Sequence, residues 1–285
     1  TKILKFSIPL MFVSAIGIIM HWIDILMLGI FSDASAVGMY HPIERTAGLI
    51  RMILFAFAGI FAPLFSQYFY EKNSEKMTEI YQLSTKWIFV ASLPLFIFLM
   101  LFSNQMLMLF GNEFDNGLAL KILSIGIMIQ AFFGLGSSSL TMSGFSNLNL
   151  LNVLVALTVN IIMNIILIPQ YGIIGAASAT TIALFIISCL RFLENYYILS
   201  LNVFSLKLFK PLLSGILTVG VILFSQRYIL NLLDYSSSLL NLSLYLLMAV
   251  AFVFIGYFSF YTLLGIDRED RDMIDSLKKR ISNQA

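Results

Sequence analysis

Long apolar stretches separated by short polar breaks dominate the chain. A helix needs about 20 mostly apolar residues to cross the hydrocarbon core of a membrane, and eight stretches meet this requirement. They lie at about Lys5–Phe31, Pro42–Tyr68, Lys86–Phe102, Gly117–Gly144, Leu148–Ile168, Gly172–Tyr197, Leu208–Leu230 and Ser237–Gly265. A very short turn at Pro169–Gly172 separates the fifth stretch from the sixth. The pattern predicts an all-α membrane protein with about eight transmembrane helices.

Composition supports a lipid environment and argues against an enzyme. Of the 285 residues, 59% are hydrophobic and 11% are charged, whereas soluble domains carry about 25% charged residues. The two histidines, His21 and His41, form no paired metal motif, Cys189 is the single cysteine, and the sequence contains no Walker loop. No cofactor is predicted, and scattered basic residues argue against nucleic acid as a partner.

The distribution of basic residues predicts the orientation in the cell membrane. Lysine and arginine concentrate in cytoplasmic loops. With both ends of the chain placed in the cytoplasm, thirteen of the 17 basic residues fall on that side: Lys2, Lys5, Lys72, Lys76, Lys86, Arg191, Lys207, Lys210, Arg268, Arg271, Lys278, Lys279 and Arg280. Arg227 is the clear exception, while the acidic residues Asp33, Glu113, Asp115 and Asp234 fall outside. Residues 71–85 are predicted to form a short interfacial helix on the cytoplasmic side.

Charged residues within the first two helices are the first candidates for function. Ionisable groups in a membrane helix usually face a cavity or a partner. Helix geometry places Asp24 and Arg51 at similar depth on consecutive helices, so they are candidates for an ion pair. One interpretation is that the ion pair stabilises the contact between the two helices. The other is that both residues line a polar cavity, where arginine binds an anionic group and the aspartate couples transport to an ion. Glu44 shares a helical face with Arg51, and Arg45 points elsewhere; both also fit a position near the outer surface.

Amide side chains follow two further helices. The fourth helix carries Gln130 on a face with small residues, and the fifth carries Asn152, Asn160 and Asn164 at spacings of eight and four. Such stripes need a neighbour other than lipid. These amides either form hydrogen bonds between membrane helices or bind a polar cargo. Gly175 and Ala179 on the sixth helix are most simply a close-packing motif.

Two runs of sequence resemble a known transporter family. The run WIDILMLG at residues 22–29, followed by VGMY at residues 37–40 and by Arg45, resembles the start of one lobe in polysaccharide flippases. The run NIILIPQYGIIGAASAT at residues 164–180 resembles the turn between the fifth and sixth helices of the same lobe. The family is that of the oligosaccharide (O-antigen type) flippases in the MATE/MOP transporter superfamily, and the resemblance covers about the first 200 residues.

The resemblance implies a fold and a domain organisation. Members have two six-helix lobes around a central cavity, and the longer members have fourteen helices. We therefore expect residues 1–198 to form one six-helix lobe, residues 199–266 two additional transmembrane helices, and residues 267–285 a charged cytoplasmic tail. The chain begins at Thr1 rather than methionine, and only one lobe is present. It is expected to be the C-terminal portion of a longer chain whose N-terminal lobe is its partner.

The resemblance also implies a function. Such proteins flip a lipid-linked oligosaccharide, a polysaccharide repeat unit, across the cytoplasmic membrane by alternating access driven by an ion gradient. Asp24 and Arg45 match commonly polar family positions. The predicted cargo contacts are Arg45, Arg51, Gln130, Asn160 and Asn164, and the predicted ion-coupling residues, for H⁺ or Na⁺, are Asp24 and Glu44. The alternatives are a cation-coupled multidrug antiporter of the same fold and a membrane scaffold or partner subunit without transport activity.

Overall fold

The computed structural model describes residues 2–111, 113–202, 206–226, 239–265 and 267. Within them lie eight α-helices, which are α1 (Lys2–Phe31), α2 (Ala34–Tyr70), α3 (Ser74–Met108), α4 (Gly117–Phe132), α5 (Gly136–Met142), α6 (Ser146–Leu199), α7 (Phe209–Gln226) and α8 (Leu239–Leu263). A short 3₁₀ helix, Leu206–Leu208, precedes α7. The predicted all-α membrane fold is confirmed. Arg227, Asp234 and the tail beyond Asp267 lie outside the described residues.

Five of the helices, α1, α2, α3, α6 and α8, are long and apolar enough to cross a membrane. The bent pair α4 and α5 supplies a sixth span if it is counted as one. Because α6 contains two antiparallel arms and α7 is a shorter apolar helix, the described segments correspond to the eight predicted crossings.

Helix α6 turns back on itself at Gly172. This glycine has φ 53° and ψ −125°, which breaks the helix, and only glycine adopts such a backbone at little cost. Asn160 is hydrogen-bonded to Thr180, and Asn152 to Glu194, as expected for two antiparallel arms, residues 146–171 and 173–199. The turn was predicted from the sequence. We refer to this end of the molecule as the Gly172 end.

The close packing predicted at Gly175 is present at the start of the second arm. A Cβ atom on Gly175 would lie 2.3 Å from the carbonyl oxygen of Leu167 on the first arm. Only a glycine allows this approach of the two backbones, since real Cβ atoms essentially never come within 3.0 Å of another heavy atom. Ala179, one turn further along, is fully buried.

Helix α2 begins eight residues earlier than predicted. Asp33 precedes it and accepts a hydrogen bond from the backbone N–H of Ala36 at 2.7 Å, so it is the N-cap of the helix. Pro42, the predicted start of the span, lies inside the helix. The missed signal is the aspartate, since a polar residue just before an apolar run commonly caps a helix.

Helix α3 also differs from the prediction. Residues 71–85 do not form a separate interfacial helix, because α3 runs without interruption from Ser74 through that segment into the membrane span. Asn73 caps it by accepting a hydrogen bond from the N–H of Lys76 at 3.1 Å. The helix kinks at Phe102, where φ is −118° and ψ is 24°. The buried Met77 and Tyr81 show that this polar segment packs one face against the lobe.

The span formed by α4 and α5 is broken at Gly134. The two helices meet at an angle of 42°, and Gly134 between them has φ +73°. A Cβ atom there would lie 2.3 Å from the Oγ1 atom of Thr85 on α3. The hydroxyl of Tyr81 donates to the carbonyl of Phe133 at 3.2 Å, which satisfies a backbone group freed by the break.

The helices pack as one bundle in which α6 covers α1, α4 and α5, and α2 packs between α3 and α4. The last two helices, α7 and α8, pack against each other and against α3.

A salt-bridge network of three residues connects the last two helices to α3. Lys86 of α3 lies 2.6 Å from Oδ2 of Asp267, and Lys210 of α7 bonds to Oδ1 of the same carboxylate. Asp267, predicted as the first residue of the charged cytoplasmic tail, therefore helps to join the helices.

Candidate functional site

A cavity of about 760 Å³ opens among α1, α2, the α4–α5 pair and the two arms of α6. The first arm of α6 contributes the apolar Val153, and each of the other elements contributes at least one polar side chain. The polar lining residues are Ser14, Asp24, Tyr40, Glu44, Arg51, Gln130, Ser137, Ser138, Thr180 and Arg191. Ser14, Gly17 and Asp24, at spacings of three and seven, lie on one face of α1. His21 occupies the same face, and its side chain lies outside the described part.

Asp24 lies near the Gly172 end of the cavity, within a cage of hydrogen-bond donors. It is 3% exposed. Its Oδ2 atom accepts from the hydroxyls of Tyr40, at 3.0 Å, and of Thr180. Its Oδ1 atom accepts from the amides of Asn164, at 2.8 Å, and of Asn160, at 3.1 Å. Four neutral donors thus replace water around a buried carboxylate, which offsets much of the cost of burying its charge.

The cage also presents an oxygen that lacks a hydrogen bond. The Oδ1 atom of Asn164 is buried and has no partner, although most buried polar atoms have one. It belongs to the amide whose nitrogen donates to Asp24, so a buried acceptor without a hydrogen bond lies beside the carboxylate. Among the described residues, no group of three His, Cys, Asp or Glu side chains could hold a metal ion.

Arg51 pairs with Glu44 rather than with Asp24. Its Nη1 atom lies 3.4 Å from Oε1 of Glu44, one of the residues on the same face of α2. Glu44 is almost fully buried, whereas the Arg51 side chain is 24% exposed to the cavity. Within the described residues, no ion pair joins Asp24 to Arg51. The single hydrogen bond from Arg51 to Glu44 leaves most of the five N–H donors of the guanidinium available.

The prediction that Asp24 and Arg51 lie at similar depth is wrong. Tyr40 is the residue of α2 that meets Asp24, and Arg51 follows it by eleven positions, or about 16 Å along the helix. The error arose from the start of α2, because counting from Pro42 instead of Ala34 placed Arg51 too close to the Gly172 end. Asp24 and Arg51 therefore occupy different levels of the same cavity.

Arg191 is a functional candidate that the sequence reasoning missed. The sequence analysis counted it only as a basic residue on the cytoplasmic side, whereas it lies on the cavity-lining face of the second arm of α6. Thr180, Leu184, Ile187 and Arg191 follow at spacings of four, three and four and all line the cavity, so they form one face of the helix. That spacing is the signal that identifies Arg191.

The other predicted cargo contacts divide into three groups. Gln130 of α4 lines the cavity. Asn160 and Asn164 are buried and bonded to Asp24, so they form the cage. Arg45 is exposed on another face of α2 and is not among the residues that line the cavity.

Comparison with known proteins shows which families the chain resembles. Residues 1–69 match the family model described as "Polysaccharide biosynthesis protein". The probable low-salt glycan biosynthesis flippase Agl15 of Haloferax volcanii is 27% identical over 169 residues, which are 59% of this chain and 36% of that protein. The capsular polysaccharide biosynthesis protein CapF of Staphylococcus aureus is 30% identical over 196 residues, which are 65% of this chain and 47% of that protein.

The fold is that of a solved transporter. The lipid II flippase MurJ, in its inward closed conformation, superposes with a TM-score of 0.66 over 95% of this chain and 55% of MurJ, at 16% identity. The chain is thus similar in sequence to polysaccharide flippases, and its fold is that of the MurJ and MATE transporters. It spans about a third to a half of the length of the curated relatives named above. Its homologues are named as transporters and biosynthesis proteins rather than as catalysts.

Proposed function

We propose that the protein flips a lipid-linked oligosaccharide across the cytoplasmic membrane by ion-coupled alternating access. The observation that carries the proposal is a single cavity that holds a cavity-facing guanidinium, Arg51, at one level and a buried carboxylate cage, Asp24, at another. A transporter that couples an anionic cargo to a cation gradient needs both groups, at separate positions within one space.

The cargo contacts we propose are Arg51 and Gln130. A guanidinium binds phosphate oxygens with two parallel hydrogen bonds, and an amide offers both a donor and an acceptor to sugar hydroxyls. The hydrocarbon chain of the carrier would remain among the membrane lipids. Asn160 and Asn164 belong to the ion site, because their amides already donate to Asp24. Arg45, exposed outside the cavity wall, is not part of the proposed contact set.

Ion coupling is proposed to act at Asp24 and to reach Arg51 through Glu44. Tyr40 donates to Asp24, and Glu44 follows it by one helical turn and pairs with Arg51. A cation, H⁺ or Na⁺, that enters the cage neutralises Asp24 and changes the field at Glu44. Because Glu44 competes with a phosphate for the same guanidinium, the charge state near Asp24 would alter the affinity of Arg51 for cargo.

The second wall of the transport path is proposed to be a further six-helix lobe of the same protein. The cavity opens on one side of the described bundle, and the matched relatives extend well beyond the region of similarity. We place the protein in the cytoplasmic membrane as a multi-pass protein, with the end opposite Gly172 in the cytoplasm, because most lysines lie at that end.

Loss of glycan export is the test of this function. In cells that express the full-length protein, Arg51→Gln and Asp24→Asn are each expected to reduce surface polysaccharide at least tenfold, with the protein still present in the membrane. Lys121→Gln is the control, since Lys121 is a cation on α4 that does not line the cavity, and it is expected to export normally. Normal polysaccharide in both cavity variants would contradict the proposal.

A multidrug antiporter of the same fold is the second candidate, and one observation favours it. Asp24 and Glu44 place two carboxyl groups on the cavity wall, which suits a cationic drug. The two functions differ in what Arg51 does, because a guanidinium repels a cation. If the protein is an antiporter, vesicles containing it will accumulate ethidium, and Arg51→Gln will increase that uptake; a flippase will show neither effect.

A further inference from the structure

Two polar side chains of the cavity wall make no hydrogen bond within the described part of the chain. They are Gln130 of α4 and Ser138 of α5, and both are half-buried and line the cavity. Each of the other eight polar lining residues named above is bonded to a neighbouring group. Since most polar groups in a protein interior have a partner, the full hydrogen-bonding capacity of Gln130 and Ser138 is available to a ligand.

The two side chains lie on either side of the Gly134 break. Gln130, Gly134 and Ser138 follow at spacings of four, which places them on one face, and all three line the cavity. The hydroxyl of Thr181, beside the cage, donates to the carbonyl of Ile122 at 2.8 Å, so α4 crosses the level of the cage at Ile122. Further along, Gln130 is nearer to the cage than Ser138 is, by about 12 Å along the helices.

Arg51, the proposed phosphate contact, lies at the same level as Arg191. Tyr40 and Thr180 donate to the same oxygen of the carboxylate in the cage, so these two positions are level with each other. Arg51 follows Tyr40 by eleven residues, and Arg191 follows Thr180 by eleven residues. Both helices run away from the cage in the same direction, so both positions lie about 16 Å from it.

Ser138 shares this level. The Oδ1 atom of Asn149 accepts from Nη2 of Arg191 at 3.0 Å, and the amide nitrogen of Asn149 donates to the hydroxyl of Ser137 at 2.9 Å. Ser138, the next residue, is therefore about level with the position where Arg51 would hold a phosphate. A sugar chain that is attached to this phosphate and extends towards the cage would meet Ser138 before any group nearer the cage.

We propose that Ser138 and Gln130 recognise the first and second sugars of the lipid-linked cargo, counted from the phosphate. The distance between them exceeds the width of one sugar ring, so each contacts a different sugar. A hydroxyl and a carboxamide donate and accept hydrogen bonds without carrying charge, which matches the hydroxyl and acetamido groups of sugars. This inference rests on the proposed function and deepens it, since it assigns the part of the wall that selects the sugar chain.

Binding of lipids that differ only in the number of sugars tests the proposal. The purified full-length protein in detergent is titrated with geranylgeranyl diphosphate and with the same lipid carrying one or two N-acetylglucosamine units. The free disaccharide is titrated in parallel, and all dissociation constants are measured by calorimetry. Each added sugar is expected to tighten the binding of the lipid to wild-type protein about fivefold, which is the ratio expected from one neutral hydrogen bond.

Two variants separate the two contacts. Ser138→Ala is expected to lose the gain from the first sugar and to keep the gain from the second. Gln130→Met, which retains the size of the side chain, is expected to show the reverse. Partial unfolding would weaken the binding of all three lipids alike, so it cannot produce these opposite patterns.

Ser178→Ala is the matched control. Its hydroxyl donates to the carbonyl of Ile174 in its own helix, and Ser178 is not among the residues that line the cavity. This variant is expected to bind all three lipids as wild type does. Thermal unfolding of each variant shows whether it is folded.

The outcomes separate this inference from the function on which it rests. Equal wild-type affinity for all three lipids overturns the sugar contacts and leaves the flippase function standing. Gains that persist unchanged in Ser138→Ala and Gln130→Met also overturn the sugar contacts. A free disaccharide that binds as tightly as the lipid-linked disaccharide supports the sugar contacts but counts against a lipid-linked cargo. Failure of all three lipids to bind overturns both proposals.

Discussion

At the scale of single residues, Asp24 shows how a carboxylate is accommodated in an apolar bundle. Its two oxygens accept four hydrogen bonds from four neutral side chains on three segments of the chain. A carboxylate in such a cage interacts with a cation without first having to break an ion pair. By contrast, Arg51 must leave Glu44 before it binds an anion with all its donors. The cavity thus combines an acidic group held by neutral donors with an arginine held by an acid.

The donor from Thr180 can be tested directly. Thr180→Val keeps the shape of the side chain but removes a hydroxyl that donates to Asp24. Hydrogen bonds to charged groups contribute about 1.5–3 kcal/mol, so the free energy of unfolding in detergent is expected to fall by about that amount. Thr158→Val is the matched control, because this exposed hydroxyl bonds only to the carbonyl of Leu154 in its own helix, and a change within about 0.5 kcal/mol is expected. Equal losses in both variants would show that the cage contributes nothing specific.

At the scale of elements, the cavity depends on two interruptions of helical structure. The turn at Gly172 brings Thr180 and Arg191 back beside the first arm of α6. The break at Gly134 allows α5 to tilt away from α4 by 42°, and Ser137 and Ser138 of α5 reach the cavity wall as a result. Broken helices next to a cavity are common in transporters, because backbone groups freed by the break can bond to neighbouring side chains.

Gly172 is expected to tolerate no side chain. Its backbone, with φ 53° and ψ −125°, lies in a region that costs other residues about 1–3 kcal/mol, so Gly172→Ala should destabilise the fold by that amount although the space around it is open. Gly59→Ala provides the control, since Gly59 is also surrounded by open space but lies inside the regular helix α2; there alanine is expected to be neutral or stabilising by up to about 1 kcal/mol. Thermal unfolding in detergent measures both, and an unchanged midpoint for Gly172→Ala would rule out the strained turn.

At the scale of the whole molecule, one carboxylate connects α3 to the last two helices. Asp267 follows α8 and bonds to Lys86 of α3 and to Lys210 of α7. Burial by itself raises the pKa of Asp267, but the hydrogen bonds from Lys210 and Lys86 outweigh it, so its pKa lies below the usual value. Folding therefore favours the charged carboxylate, and the link stabilises the native structure wherever Asp267 is ionised.

Replacing Asp267 should loosen this connection in a pH-dependent manner. Asp267→Asn is expected to lower the free energy of unfolding by about 1.5–3 kcal/mol at neutral pH, whereas Glu79→Gln, on the exposed face of α3, should have little effect. Because the folded pKa is lowered, the contribution of Asp267 is complete above its ordinary pKa of about 3.9 and is lost as the pH falls through the folded pKa. Unfolding curves of wild type and Asp267→Asn should thus differ equally at pH 6 and pH 7, begin to converge below about pH 4, and coincide only below the folded pKa of Asp267. A constant difference at all pH values would contradict a role for the ionised carboxylate.

Some elements could be predicted from local sequence and others could not. The turn at Gly172 and the close packing at Gly175 were predicted, because proline, glycine and small residues act on the backbone next to them. The start of α2 and the continuity of α3 were missed, because polar residues at a helix end are compatible both with a loop and with a helix whose one face is buried. The position of Arg191 was missed for a related reason: a basic residue near a helix end satisfies the rule for cytoplasmic loops even when its side chain faces a cavity.

The sequence by itself determined the number and approximate bounds of the apolar helices, since the thickness of the membrane sets a minimum length for each crossing. It also identified Asp24, Glu44 and Arg51 as polar residues that need a partner away from lipid. Only the tertiary structure decided which partners they have. The four donors to Asp24 lie 16, 136, 140 and 156 residues away along the chain, and Arg191 reaches the level of Arg51 only after the turn at Gly172. Hydrogen bonds and ion pairs act over a few ångströms in space, so sequence spacing alone does not specify contacts between residues on different helices.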